Sequence, residues 1–106
     1  MQLAERSARL KDLLALTESI ADHLLAGNFL QAQQIETDRQ KLAREIFREP
    51  VSRGDAGQVR TLLQSIVDAD HRLRSEAESL RATAGSDLAQ MNRGRQATAA
   101  FLAHSQ

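Results

Sequence analysis

Apolar residues recur along the first quarter of the chain at the spacing of one helix face. Leu3, Leu10, Leu13, Leu14, Ile20 and Leu24 share a stripe, while Glu5, Arg9, Asp12, Glu18 and Asp22 fall mostly off it. That is the distribution of an amphipathic helix with one dry side, and it predicts a first helix over about residues 3–26. Gly27-Asn28 ends it, because glycine accepts the left-handed conformation that terminates a helix, and Asn28 stands where it can cap the next one. A second stripe, Phe29, Ala32, Ile35, Arg39, Leu42 and Ile46, steps by threes and fours with one charged intrusion. It predicts a helix over about residues 29–48. Glu49-Pro50 closes this helix, since the residue before proline is pushed out of helical geometry. Val51-Ser52-Arg53-Gly54-Asp55 is the one clear linker, with Asp55 placed to cap a third helix.

The third segment has the most regular pattern. From Val59 the apolar positions run Val59, Leu63, Ile66, Asp70, Leu73, Ala77, Leu80, Ala84, alternating fours and threes without a slip. This is a heptad seam, the signature of helices packed nearly parallel or antiparallel in a left-handed bundle. Helical composition continues through Gly85 to Leu88, Met91, Ala97, Phe101 and Leu102. At 1.5 Å per residue the first two helices are about 36 Å and about 29 Å long, and an unbroken helix over residues 57–103 is about 70 Å. The short Gly-Asn turn makes the first two antiparallel neighbours, and they can cover roughly half of the third. Two outcomes are open to the rest. Either the last helix continues past its companions with apolar side chains uncovered, or it breaks near Gly85-Ser86-Asp87 into helices over about residues 57–84 and 86–103. Glycine costs about 1 kcal/mol inside a helix and Ser86 is a good cap, so neither outcome is compelled. The fold class is all-α: a single antiparallel domain of three or four helices, residues 1–106, with a long C-terminal helix.

Composition supports that class. Leu, Ala, Gln, Glu and Arg dominate, Trp and Tyr are absent, and Phe29, Phe47 and Phe101 are the aromatic residues. Strand formers are scarce. Fourteen basic residues balance fourteen acidic ones, which argues against direct nucleic-acid binding by counterion release. The one locally basic stretch, Arg93 to Arg95, reads as a solvated helix end. The absence of cysteine excludes disulfides and thiolate metal sites. The N-terminal residues lack the basic-then-apolar pattern of a signal peptide, and no apolar run approaches the roughly 20 residues of a membrane span. The expected compartment is the cytoplasm.

Candidate chemistry is thin. His23, His71 and His104 stand on three different segments, and Asp68, Asp70 and His71 lack the spacing of three or four that brings ligands onto one helix face. There is no phosphate loop, nucleophile elbow or helical Glu-x-x-His pair. No enzyme activity, metal or cofactor is therefore expected. What stands out is polar. Asp70 interrupts the seam between Ile66 and Leu73, where a charge is expensive unless paired or wet, and Arg39 is the matching intrusion in the second helix. The two either mark the register of the bundle, open the seam to water beside a partner, or pair with each other. The set Leu80, Leu88, Met91, Phe101 and Leu102 reads as the core of a four-helix bundle or homodimer, or as a partner-binding surface, for which Met91 supplies an adaptable side chain.

The order of short motifs resembles a known family. A helix-Gly-Asn-aromatic turn, Ala26-Gly27-Asn28-Phe29, leads to Arg39-Gln40-Lys41-Leu42-Ala43. The last helix opens with Leu62-Leu63-Gln64-Ser65-Ile66-Val67-Asp68-Ala69-Asp70 and closes with Met91-Asn92-Arg93-Gly94-Arg95-Gln96-Ala97 and then Phe101. Over essentially the whole chain this is similar to the FliT family of flagellar export chaperones. The resemblance implies a cytoplasmic protein that holds the C-terminal region of the filament-cap protein FliD and delivers it to the flagellar type III secretion apparatus. It also implies that some members bind the flagellar master transcription regulator. Ile66, Leu73, Leu80 and the neighbouring Arg39 are carried over as client-facing residues, with Asp70 beside them. The segment with Leu88, Met91, Phe101 and Leu102 is carried over as a mask of the binding surface or a dimer contact. Phe101 stands where a tyrosine is common in the family. Two rivals stay in view: a self-associating coiled-coil protein without a client, and a FlgN-type chaperone for hook–filament junction proteins.

Overall fold

A computed structural model describes the backbone of residues 1–104 and the side chains of residues 1–96 and 103. Among the described residues there are three helices and no strand: α1 (Leu3–Leu25), α2 (Phe29–Ile46) and α3 (Ala56–His104). The all-α class and the long last helix are as the sequence pattern predicts. The chain divides into two compact units, Met1–Glu76 and Ala77–Gln106.

In the first unit, α1 turns into α2 through a Schellman motif. The Asn28 N–H donates to the His23 carbonyl at 2.8 Å and the Gly27 N–H to the Leu24 carbonyl at 3.1 Å, satisfying carbonyls that the end of α1 leaves open. Gly27 makes this possible with φ of 79°, a conformation that costs a residue with a Cβ. Asn28 occupies the N-cap position of α2, but its side chain makes no capping hydrogen bond. Its contribution is the backbone donor that closes the turn, which corrects the capping role expected from its type.

The core forms two clusters that run in opposite sequence order on α1 and α2. Leu10 and Leu13 meet Ile46 and Val59, with Leu42, Ala43, Leu62, Leu63 and Ile66 packed around them. Ile20 meets Ala32 and Leu73, with Ala21, Leu24 and Ile35 around them. The first part of α3 therefore runs antiparallel to α2 and alongside α1. Its stretch over residues 56–76 is about 32 Å long, matching the roughly 34 Å of α1, so each of its turns finds a companion. Val51 from the linker also packs against the first cluster.

Three details of the stripes differ from expectation. Phe29 is 62% exposed rather than core, because it opens α2 at the tip of the hairpin, beyond the last turn of α1. On α3 the buried seam residue is Ala69, while Asp70 is half-buried; α3 faces two helices at once, so its dry stripe is wider than one heptad line. On α1 the buried series is Arg6, Leu10, Leu13, Thr17 and Ile20, an unbroken alternation of fours and threes with two polar members.

The second unit contains the remainder of α3, which is helical straight through Gly85. The alternative of a break and a fourth helix is not realised. Gly85 has open space where a Cβ would stand, so nothing in the structure requires glycine there. Ala77 and Leu80 are half-buried, and every described side chain over residues 81–96 is exposed, Leu88 and Met91 by more than half. The side chains of Phe101 and Leu102 lie outside the described residues.

Candidate functional site

Between the two core clusters each helix contributes a polar residue to the same layer. On α1 it is Thr17, between Leu13 and Ile20. On α2 it is Arg39, between Ile35 and Leu42. On α3 it is Asp70, between Ile66 and Leu73. Thr17 is fully buried, and its hydroxyl donates to the Leu13 carbonyl at 2.9 Å. This back-bond within the helix satisfies the donor at little cost.

Arg39 and Asp70 pair directly. The Arg39 Nη1 donates to Asp70 Oδ1 at 3.1 Å, and its Nη2 stands 2.7 Å from Glu36 Oε2. Of the three readings that the sequence left open for these two intrusions, direct pairing is the one present, and it ties α2 to α3. Burial alone lowers the Arg39 pKa, but the hydrogen bonds and charges of Glu36 and Asp70 outweigh it and raise the pKa. Arg39 is a fixed cation at any working pH. The other oxygen of Asp70 lies 3.0 Å from Nε of Arg74, whose side chain is 75% exposed. One carboxylate thus sits between two guanidiniums, one inside the bundle and one at its surface.

This charged layer borders a groove between α2 and α3 with a volume of about 350 Å³. Leu13 and Thr17 floor it, and Arg39, Gln40, Ala43, Ile66, Val67, Asp70 and Arg74 line it. The exposed lining is mostly apolar, and Val67 is 45% exposed. Two other concavities are ionic. One between α1 and α3 is lined by Glu18, Asp22, Arg72 and Glu76 with two alanines. The other, at the chain start, is lined by Met1, Glu5, Arg9, Glu45, Arg48 and Glu49. A mostly apolar trough with a few polar groups at one end is the usual form of a site for an amphipathic segment.

Of the residues singled out in the sequence, Arg39, Ile66 and Asp70 come together in this groove. Leu73 lies one turn further along α3 and is buried in the second core cluster. Leu80, Leu88 and Met91 belong to the second unit. Ala43, Val67, Arg74 and Thr17 line the groove without having been singled out. Val67 stands one turn after Leu63 and Arg74 one turn after Asp70, so the four-residue step from seam residues was the available signal. Among the described residues no group of three or more His, Cys, Asp or Glu is arranged to hold a metal ion, and no helix is long and apolar enough to cross a membrane.

The family model described as flagellar protein FliT matches residues 7–103, nearly the whole chain. The chain belongs to the FliT family. Its class is accordingly that of a flagellar export chaperone, and such a protein works by holding another protein rather than by catalysis. No curated protein and no solved structure gives a significant match. In this FliT-family chain the two apolar clusters hold the three helices of the first unit together; Ala43 and Ile66 pack against the first cluster from the groove side, and Val67 is exposed beside the polar layer.

Proposed function

We propose that this FliT-family chain holds the C-terminal region of the filament-cap protein FliD before export, as an amphipathic helix laid along the groove between α2 and α3. The client is then passed to the flagellar type III secretion apparatus. The observation that supports this most is the mostly apolar lining of the groove of about 350 Å³, in contrast to the two ionic concavities described above. A client end that is disordered when free buries its apolar face there as it folds, which gives reversible binding because the ordering entropy opposes it. Arg39, Ile66 and Asp70 act with Val67 and Ala43 at the contact, and Leu73 supports them from the core. Export of a cytoplasmic client places the protein in the cytoplasm, and the same groove is the place where a flagellar master regulator would compete.

A second reading is favoured by the exposure of Leu88 and Met91: the helix over residues 77–104 covers an apolar surface, either as a mask for a client site or in a homodimer. Leu80, with Phe101 and Leu102 further along, belongs to that reading.

The test is calorimetry with a peptide of the cap protein's C-terminal region, using the intact chain and Val67→Asp. Val67 is on the surface, so the variant keeps the fold, which circular dichroism checks. The expected result is binding by the intact chain and a loss of about 30-fold in the variant, the size of a strong interface residue. No binding by the intact chain, or equal binding by both, rejects the proposal. Tighter binding by a chain ending at Ala84 supports the mask, and a monomer at high concentration by light scattering removes the homodimer.

A further inference from the structure

The groove also carries information about its occupant that the apolar lining does not. Its one lining carboxylate, Asp70, is 26% exposed and divided between two guanidiniums, and the neighbouring Glu36 is bonded to Arg39 and to Gln40. Arg74 differs. Its Nε faces Asp70 Oδ2, its side chain is 75% exposed, and among the described residues no other carboxylate pairs with it. The two terminal amino groups of a guanidinium fixed at Nε form an outward fork of the shape that takes a carboxylate bidentately. Arg39 cannot do this, because Glu36 and Asp70 already occupy it. The groove is therefore apolar along Ala43, Ile66 and Val67 and is bordered by a cation whose only carboxylate partner among the described residues is Asp70.

We propose that the occupant is an amphipathic helix bearing an Asp or Glu one to two turns from its apolar anchor, and that Arg74 binds this carboxylate. The inference rests on the groove as the client site and adds the register. An apolar ridge alone can slide along an apolar trough by one turn, whereas a carboxylate set against Arg74 selects one alignment and penalises clients carrying a basic residue there. Asp70 has a positioning role. It holds Nε so that the fork points outward, and Arg39 in turn holds Asp70.

The experiment uses the full chain and the cap-protein C-terminal peptide, with Arg74→Gln and Arg74→Glu beside Val67→Asp. Arg74→Gln is expected to weaken binding about 5-fold at low salt, shrinking toward parity near about 0.5 M salt, as for a partly exposed ion pair. Arg74→Glu is expected to weaken it further, and one peptide with a single Asp or Glu changed to Lys is expected to recover most of that loss. Thermal melting of both Arg74 variants checks that the bundle is intact. If both bind like the parent while Val67→Asp does not, the carboxylate proposal fails and the groove stands. If the Arg74 variants bind weakly but no charge-swapped peptide recovers affinity, the proposal also fails, since Arg74 then acts only through Asp70. If Val67→Asp binds normally, the groove reading itself falls.

Discussion

Asp70 is the residue on which the bundle's polar layer turns, because its two oxygens meet Arg39 and Arg74. Removing one member of a half-buried pair strands the other, while replacing both with apolar groups of similar volume removes the desolvation cost as well. Asp70→Ala is therefore expected to lower stability by about 1–2 kcal/mol, and Arg39→Met with Asp70→Leu to lie within about 1 kcal/mol of the parent, measured by urea unfolding. A double variant less stable than Asp70→Ala contradicts this. At the chain start, the Met1 ammonium pairs with the Glu49 carboxylate, and Arg6 donates to the Glu49 carbonyl at 3.0 Å. The hydrogen bond from the ammonium, then its charge, holds the Glu49 pKa below its ordinary value of 4.5. A lowered folded pKa contributes stability above the unfolded value that is lost as pH falls through the folded one. Glu49→Gln is expected to lower the melting temperature slightly at pH 7, to leave it unchanged once the pH is below the folded Glu49 pKa, and so to reduce its fall on acidification. Arg39 and Asp70 were legible in the sequence because charges interrupted apolar stripes. Arg6 and Thr17 were not, because an apolar count drops the polar members of a heptad even when the rhythm of fours and threes passes straight through them.

The elements arise from short signals of unequal strength. The α1–α2 turn was readable from Gly27 because its positive φ is a requirement of the backbone, independent of what packs nearby. Gly27→Ala is accordingly expected to cost about 1 kcal/mol or more in thermal or urea unfolding. Gly85 carries the opposite lesson. It offered a possible break, and within α3 it is helical, with open space where a Cβ would be. Glycine lowers helix stability without forbidding the helix, so the sequence alone left both outcomes open. Gly85→Ala is expected to slow amide hydrogen exchange around residues 81–90, by up to about 5-fold for about 1 kcal/mol of added helix propensity. Faster exchange would show that glycine serves a purpose there. Phe29 was misplaced because periodicity reports a face and cannot report where a companion helix ends; α2 begins beyond the last turn of α1, so its first apolar residues have no cover.

At the scale of the molecule, the fold class was legible because abundant helix formers, scarce strand formers and regular stripes all point one way. The groove was only partly legible. Ile66, Arg39 and Asp70 were in view, but Val67 and Ala43 enter through the pairing of α2 with α3, a long-range fact that a single stripe does not contain. The first unit holds both core clusters, so the groove should survive with its helices intact whatever the helix over residues 77–104 covers. The central claim is that a client helix lies between α2 and α3 of the first unit. Hydrogen–deuterium exchange of the full chain with and without the cap-protein C-terminal peptide tests it most directly. The expected result is added protection over residues 39–47 and 63–74, with the α1 tip around Gly27 unchanged. Protection confined to residues outside those two stretches, in a mixture where the peptide is bound, would contradict it.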